Sequence, residues 1–176
     1  MKILIKPRFW MERQLDKNPN WFMGKAIISI FSKDDVSPFP DRFNIIKLNF
    51  DDVTERDFDT CKDKCIFFNE DIANYLKGCL DTIHTNGFPL FIHCDAGVSR
   101  SGAIGYILNE WFNKYLEFNP IDIEYFKENN SHIQPNPLVV RIMKDVLWGK
   151  PTFADIEVND YTFNEDGEKI NNIERI

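Results

Sequence analysis

The segment HCDAGVSRSG, residues 93–102, joins two sequence patterns of different period. Before it, the run PLFIHC at 89–94 is apolar without interruption, which is typical of a parallel strand buried on both faces. After it, RSGAIGYILNEWFNKYL at 100–116 carries apolar residues at helical spacing. The sequence therefore predicts a strand that ends at Cys94, a tight loop, and a helix that begins near Ser99.

The loop between this strand and this helix has the composition of an anion-binding site. Gly97 permits a tight turn in which backbone N–H groups converge on one point, and the helix N-terminus adds positive potential there. Arg100 contributes a planar guanidinium that suits two phosphate oxygens. The expected phosphate-binding residues are Asp95, Ala96, Gly97, Val98, Ser99 and Arg100.

Three residues beside this loop have the chemistry that a reaction at phosphorus needs. Cys94 lies in the positive field of the loop, so we expect a thiolate at neutral pH, and a thiolate aimed at a bound phosphate is a nucleophile. Ser101 carries a hydroxyl that can donate a hydrogen bond to the sulfur and ease its departure. His93 is expected to hydrogen-bond the loop backbone and support its shape, without carrying protons in the reaction.

The rest of the chain alternates between strand and helix patterns. Further strands are predicted at 2–6, 25–31 and 44–50, a short helix within 7–24, and helices at 69–87, 120–129 and 137–149. Asn69 is the expected cap of the helix at 69–87, and Gly87 its expected stop. The alternation predicts an α/β fold with a central, mostly parallel sheet flanked by helices.

The domain organisation follows from length and charge. Residues 1–149 are predicted to form a single domain, and residues 150–176 an acidic C-terminal extension. Within the extension, FADIEVNDYTF at 153–163 has the pattern of a strand. Two roles stay open for this strand, either addition to the sheet edge or packing on a neighbouring chain.

Composition and charge exclude several other classes of protein. The 176-residue chain has a formal net charge of −7 and 43 % apolar residues, a globular composition without the clustered Lys and Arg that nucleic-acid backbones require. The N-terminal MKILIKPRFW is too short and too charged for a signal peptide, and no apolar run approaches the roughly 18 residues of a membrane span. We therefore expect a cytoplasmic protein that binds neither nucleic acid nor membrane.

The other cysteines are assigned to no site. Cys61 and Cys65 form half of a metal-binding pattern, CKDKC, but no second Cys pair and no nearby His completes it, so we expect no metal. Cys79 falls on the apolar face of a predicted helix and is expected in the core. Its alternative role is that of a resolving thiol for an oxidised Cys94.

At these residues the sequence resembles the cysteine-dependent protein tyrosine phosphatases, most closely the dual-specificity branch and the small bacterial and phage members of the superfamily. HCDAGVSRSG matches the His-Cys-x5-Arg-Ser/Thr signature of that family. HIQPN at 132–136 resembles the Ser/Gln-Pro-Asn segment that opens a late helix in the dual-specificity branch. The resemblance spans residues 25–149 and is strongest at 93–102; it implies the α/β fold of the family.

The resemblance also implies a general acid on a separate loop. The segment LNFDDVTERDFD at 48–59 supplies the candidates. In the family the acid follows an aromatic and one acidic residue, which matches Asp52, with Asp51 as the second choice and Asp57 and Asp59 below both. The segment departs from the Trp-Pro-Asp form of the tyrosine-specific members.

The implied function is metal-independent and cofactor-free hydrolysis of phosphate monoesters in proteins or peptides, at phosphotyrosine and also at phosphoserine or phosphothreonine. The implied catalytic residues are Cys94, Arg100, Asp52 and Ser101. Two alternatives stay open, a phosphatase of lipid or nucleotide phosphates and a non-catalytic phosphopeptide-binding module. Lipid-directed relatives carry Lys in the loop where this chain has the acidic Asp95, and relatives that act on RNA triphosphates carry Asn where it has Ser99. A rhodanese-like sulfur transferase also uses a loop cysteine, but its signature lacks this register.

Overall fold

A four-stranded parallel sheet forms the centre of the fold in the computed structural model, which describes residues 1–61, 64–149, 161–163 and 169–171. The strands are β1 (Ile3–Pro7), β2 (Ala26–Phe31), β3 (Ile45–Asn49) and β4 (Leu90–Cys94). Their order across the sheet is β1-β4-β2-β3, and all three pairings are parallel. All five residues of β4 are buried, as its uninterrupted apolar run predicts.

The strand register brings the carboxyl ends of the strands to one edge of the sheet. Pro7 at the end of β1 aligns with Cys94 at the end of β4, and Ser29 of β2 aligns with His93. Ligands of parallel α/β sheets bind outside this edge, in the loops that follow the strands. The segments after β1, β2, β3 and β4 therefore share one corner of the molecule.

Helices cover both faces of the sheet. They are α1 (Arg8–Lys17), α2 (Phe58–Cys61), α3 (Glu70–Thr85), α4 (Arg100–Glu110), α5 (Pro120–Asn129) and α6 (Pro137–Trp148). The cap predicted for α3 is confirmed, because the Asn69 side chain accepts a hydrogen bond from Ile72 N. Asn136 caps α6 in the same way, accepting from the backbone of Leu138 and Val139. The predicted α/β architecture is confirmed.

Two apolar clusters fix the helices to the sheet. The larger one joins Ile5, Ile28 and Ile92 of the central strands to buried residues of α3, α4 and α6. The smaller one lies on the other face, where Met11 of α1 packs with Ile27, Phe22, Phe39, Ile45 and Phe91. Burial of such side chains contributes about 1.5–3 kcal/mol each, so these two clusters are the main source of stability.

Two helical details differ from the sequence prediction. A single helix was predicted at 100–116. In the structure, α4 ends at Glu110 and the chain continues as a π-helix over Trp111–Leu116. Glu117 N donates to Phe112 O, five residues back, which is the hydrogen-bond spacing of a π-helix. The short 3-10 turn Glu55–Asp57 and α2 were not predicted, because segments this short carry no detectable apolar period.

The described part of the C-terminal extension is a hairpin of two strands, β5 (Tyr161–Phe163) and β6 (Lys169–Asn171). They pair antiparallel with each other in a sheet of their own. Tyr161–Phe163 therefore does not extend the central sheet, which was one of its two predicted roles. The remaining residues of 150–176 lie outside the described residues, and the division at residue 149 stays a prediction.

None of the helices in the described residues is long and apolar enough to cross a membrane.

Candidate active site

The 95–99 loop, between the end of β4 and the start of α4, contains a glycine packed closely against the end of β1. Gly97 has φ of +70°, in the left-handed region that L side chains rarely adopt. A Cβ built on Gly97 would lie 2.5 Å from Pro7 N and 2.6 Å from the carbonyl carbon of Lys6. The loop therefore touches the backbone at the end of β1, and the register of β1 on β4 sets its position.

The carbonyl groups of the loop are turned toward protein donors. Asp95 O accepts from Arg8 N at 3.1 Å, Val98 O from Gln134 N at 3.2 Å, and Ser99 O from Asn136 N at 3.3 Å. Gly97 O lies 3.1 Å from Nε2 of His132, which donates to it. By contrast, within the described residues no backbone group of the protein accepts a hydrogen bond from the N–H groups of residues 95–99.

Arg100 is buried and fixed at one end of its guanidinium. Its side chain is 5 % exposed, and Nη1 donates to Ser32 Oγ and to Phe50 O, both at 2.9 Å. Nη2 donates to Asp95 Oδ2 at 2.5 Å. Nε has no hydrogen-bond partner among the described residues, although it is buried. A buried donor without a partner is costly, so Nε is suited to an oxyanion bound at the loop.

Cys94 and Ser101 are in contact beneath the loop. Cys94 Sγ lies 3.1 Å from Ser101 Oγ, and the two residues are 2 % and 0 % exposed. Ser101 belongs to the first turn of α4, and Cys94 is the last residue of β4. The strand-loop-helix geometry thus brings a thiol, a hydroxyl and the first turn of a helix to one point.

Asp52 is tied to the 95–99 loop from the segment that follows β3. Its Oδ1 accepts from Ser99 Oγ at 2.7 Å and from Asn136 Nδ2 at 2.9 Å. The same Asn136 amide donates to Val53 O at 3.1 Å, which fixes the backbone next to Asp52. The Asp52 side chain is nevertheless exposed, so a substrate that enters the loop can reach its carboxylate.

The other candidate carboxylates have structural partners. Asp51 Oδ2 accepts a hydrogen bond from Ile66 N at 2.7 Å, and Asp51 N donates to Ile66 O at 2.8 Å. Asp51 therefore holds the segment that precedes α3 in place. Asp57 Oδ2 accepts from the backbone and hydroxyl of Thr54 as part of a capping box. These contacts lower the pKa of Asp57, mainly through the backbone hydrogen bond. Asp59 lies exposed in α2.

Comparison with solved structures identifies the fold of the chain. The chain is similar to human DUSP28, with a TM-score of 0.52 at 13 % sequence identity over 82 % of this chain and 90 % of that one. The chain has the fold of the dual-specificity phosphatases. This confirms the fold that the resemblance at 93–102 implies.

Two further solved structures are similar at lower scores. One is the human tyrosine phosphatase-like serine/threonine/tyrosine-interacting protein, with a TM-score of 0.46, 18 % identity, and coverage of 81 % of this chain and 89 % of that one. The other is the phosphatase PTP-2 of Cydia pomonella, with a TM-score of 0.47, 19 % identity, and coverage of 82 % and 84 %. No protein-family profile matches the chain, and no curated protein matches it.

In this dual-specificity phosphatase fold, His93 lies below the loop within the sheet. It is 0 % exposed, and its Nε2 lies 2.8 Å from Ser29 Oγ, which in turn lies 2.7 Å from Ser37 Oγ. Nε2 therefore contacts a side chain of β2, because β2 and β4 are neighbours in register, and the expected hydrogen bond from His93 to the loop backbone stays a prediction. Burial, with a smaller contribution from the Arg8 charge, lowers the pKa of His93 to about 4. The imidazole is therefore neutral at neutral pH.

Sequence reasoning missed four residues that shape the site. Ser32 and Phe50 hold Arg100, while Asn136 and His132 hold the loop and Asp52. Asn136 carried a signal, because it closes the HIQPN segment and precedes a proline at the start of a helix. The sequence contains no comparable signal for Ser32 or for the carbonyl of Phe50. These groups follow β2 and β3, and they contact Arg100 only after the two strands have aligned beside α4.

The remaining cysteines are all free thiols. Burial raises the pKa of Cys79, which packs against the larger apolar cluster as expected. A hydrogen bond to Cys61 raises the pKa of Cys65. Within the described residues, no three His, Cys, Asp or Glu side chains lie close enough together to hold a metal ion.

Proposed function

We propose that this chain is a cysteine-dependent phosphatase that hydrolyses phosphate monoesters of proteins, at phosphotyrosine and also at phosphoserine or phosphothreonine. One observation carries the proposal: the Asp52 carboxylate is hydrogen-bonded to Ser99 of the same loop that joins Cys94 to the buried Arg100. A nucleophile, an anion-binding guanidinium and a carboxylic acid thus meet at one loop, as phosphoryl transfer through a covalent intermediate requires. The likeness of the fold to human DUSP28 supports the same function.

The first step transfers the phosphoryl group to the enzyme. The Cys94 thiolate attacks phosphorus, an S–P bond forms, and the ester P–O bond breaks. The Asp52 carboxylic acid gives its proton to the departing oxygen, which leaves as a phenol or alcohol. Arg100 and the N–H groups of the loop hold the equatorial oxygens, where charge accumulates in the transition state.

The second step returns the enzyme to its starting state. The Asp52 carboxylate takes a proton from a water molecule that attacks the phosphocysteine, and the S–P bond breaks to release inorganic phosphate. The hydroxyl of Ser101, 3.1 Å from the sulfur, donates a hydrogen bond to the departing thiolate. A charge-assisted hydrogen bond of this kind contributes about 1.5–3 kcal/mol, which corresponds to about ten- to a hundredfold in rate.

The substrate class follows from the charge at the loop. Asp95 places a half-exposed carboxylate beside Arg100, and it repels additional anionic groups near the bound phosphate. Singly phosphorylated side chains of proteins suit such a site better than polyphosphorylated lipids or nucleotides.

The proposal is tested by initial rates on p-nitrophenyl phosphate and on one peptide that carries phosphotyrosine, phosphoserine or phosphothreonine at the same position. Chelator is present throughout, because the proposed chemistry uses no metal. Release of phosphate from the peptides supports the proposal, and the ratio of the three rates sets the specificity. Hydrolysis of lipid or nucleotide phosphates alone would favour the first alternative, and peptide binding without any turnover would favour the non-catalytic module.

A further inference from the structure

Asp95 lies on the guanidinium that the proposed function assigns to phosphate. Its Oδ2 accepts a hydrogen bond from Arg100 Nη2 at 2.5 Å. The two side chains differ in exposure, 49 % for Asp95 and 5 % for Arg100. A solvent-accessible carboxylate thus covers part of a buried cation.

Only Nη2 and Nε of Arg100 are available to bind a phosphate, because Nη1 already has two partners. Nη1 is engaged by Ser32 Oγ and Phe50 O, which belong to the scaffold behind the site. A phosphate binds a guanidinium most strongly through two parallel N–H···O bonds, which here requires the edge formed by Nε and Nη2. Nε has no partner among the described residues, so Asp95 is the group that contends with phosphate for this edge.

Arg8 offers the Asp95 carboxylate a second position. Arg8 Nη1 lies 3.9 Å from Asp95 Oδ1, close enough for an ion pair but too far for a hydrogen bond. Arg8 N donates to Asp95 O at 3.1 Å, so the backbone of Asp95 stays in place while its side chain turns. The Arg8 side chain is itself held by Glu12 and Asp35.

We propose that the Asp95 side chain competes with the phosphate of the substrate for Arg100 and thereby lowers the affinity of the site for oxyanions. The inference rests on the proposed function and deepens it. On binding, the carboxylate leaves Nη2 and turns toward Arg8, and two phosphate oxygens take Nη2 and Nε. Every oxyanion therefore binds at the cost of one charge-assisted hydrogen bond, which weakens substrate and product alike and speeds the release of phosphate.

The test is the affinity of the full-length protein for inorganic phosphate and for tungstate, measured by titration calorimetry. Asp95→Asn keeps the shape of the side chain and removes its charge, so both anions bind about tenfold tighter or more. Asp95→Ala gives the same direction of change. Asp41→Asn is the matched control, since it removes one carboxylate from an ion pair with Lys47 that involves no residue of the loop. Its affinity stays within twofold of wild type.

A double-mutant cycle with Arg8→Gln tests the second position of the carboxylate. Arg8→Gln weakens anion binding when Asp95 is present, and it weakens binding less when Asp95 is already Asn. Equal or weaker binding by both Asp95 variants would overturn the proposal, as would the same gain in Asp41→Asn. The rate of p-nitrophenyl phosphate hydrolysis by the wild type, measured in parallel, shows separately whether the proposed function itself fails.

Discussion

Asp52 and Ser99 are separated by 47 positions in the chain, yet Ser99 Oγ donates to Asp52 Oδ1 at 2.7 Å. The bond joins the segment after β3 to the loop after β4, two strands that are not neighbours in the sheet. It ties the proposed acid to the loop that begins at the proposed nucleophile. Pre-positioning of this kind is what converts a nearby carboxylic acid into an effective proton donor.

Asp52→Asn is expected to lower turnover according to the leaving group. Hydrolysis of phosphoserine or alkyl phosphates, whose leaving oxygens need a proton, falls about 10²–10⁴-fold, and hydrolysis of p-nitrophenyl phosphate falls much less. Asp51→Asn is the control, because Asp51 holds Ile66 rather than the loop. It is expected to lower stability without this dependence on the leaving group. A uniform loss over all substrates in Asp52→Asn, or the leaving-group dependence in Asp51→Asn, would assign the acid elsewhere.

Asn136→Ser separates the two functions of Asn136. Serine still caps α6 but lacks the amide that reaches Asp52 and Val53, so the free energy of unfolding falls by about 1–3 kcal/mol, the cost of leaving the buried Val53 carbonyl without a donor. Turnover of poor leaving groups falls about ten- to a hundredfold because the acid loses its position. Asn69→Ser makes the same change at the cap of α3, and its turnover matches wild type. Equal activity of the two variants would contradict the positioning role.

Gly97→Ala tests the contact between the loop and the end of β1. The added Cβ meets the backbone of Pro7 and Lys6, which cannot move away, so we expect loss of hydrolysis and a large loss of stability in urea unfolding. Gly87→Ala is the matched control: it has a φ of +61° but open space around its Cβ, so it costs only the left-handed conformation, about 1–2 kcal/mol. Equal stability of the two variants, together with an active Gly97→Ala, would contradict close contact between the loop and the backbone of β1.

Ser101→Ala is expected to slow the second chemical step more than the first. Without the hydroxyl 3.1 Å from the sulfur, the departing thiolate loses a hydrogen bond, and phosphoenzyme breakdown slows about ten- to a hundredfold. Stopped-flow measurements with p-nitrophenyl phosphate then show a burst of nitrophenol followed by a slow steady state. If the ratio of burst amplitude to steady-state rate in Ser101→Ala equals that of wild type, Ser101 does not assist the second step.

His93 gives the fold a pH dependence whose direction follows from its pKa of about 4. An unfolded histidine has a pKa near 6.5, so between these values the unfolded chain binds more protons than the folded one. The contribution of His93 to the free energy of unfolding is fully present above about pH 6.5. It decreases as the pH drops toward 4, by up to about 1.4 kcal/mol for each pH unit. Urea unfolding of His93→Asn should show a smaller slope over this range. An unchanged slope would mean that other groups cause the acid sensitivity.

The central strand, the loop and most helices were predictable from sequence because their signals are local. The apolar run that ends at Cys94, the asparagine cap at Asn69 and the prolines that begin α5 and α6 each act within a few residues. The π-helical turn at 111–116 was not predictable, since it keeps the apolar spacing of a helix and differs only in its hydrogen bonds.

The choice between Asp51 and Asp52 shows where sequence reasoning ends. The two are adjacent, chemically identical, and separated only by the contacts that each makes with distant residues, Ile66 in one case and Ser99 in the other. The same holds for the competition between Asp95 and phosphate, which depends on the positions of Arg8 and Arg100 in the folded chain. The local pattern ranks Asp52 above Asp51 only through a family resemblance, whereas the tertiary contacts give each residue a different partner.

The phosphocysteine intermediate is tested most directly by mass spectrometry of the acid-quenched reaction with p-nitrophenyl phosphate, followed by peptide mapping. Ser101→Ala is included beside wild type, because slow breakdown makes the intermediate accumulate. We expect one added phosphoryl group on the peptide that contains Cys94, and neither adduct nor turnover in Cys94→Ser. Turnover by Cys94→Ser at a rate close to wild type, or a phosphoryl group on any other residue, would contradict this expectation.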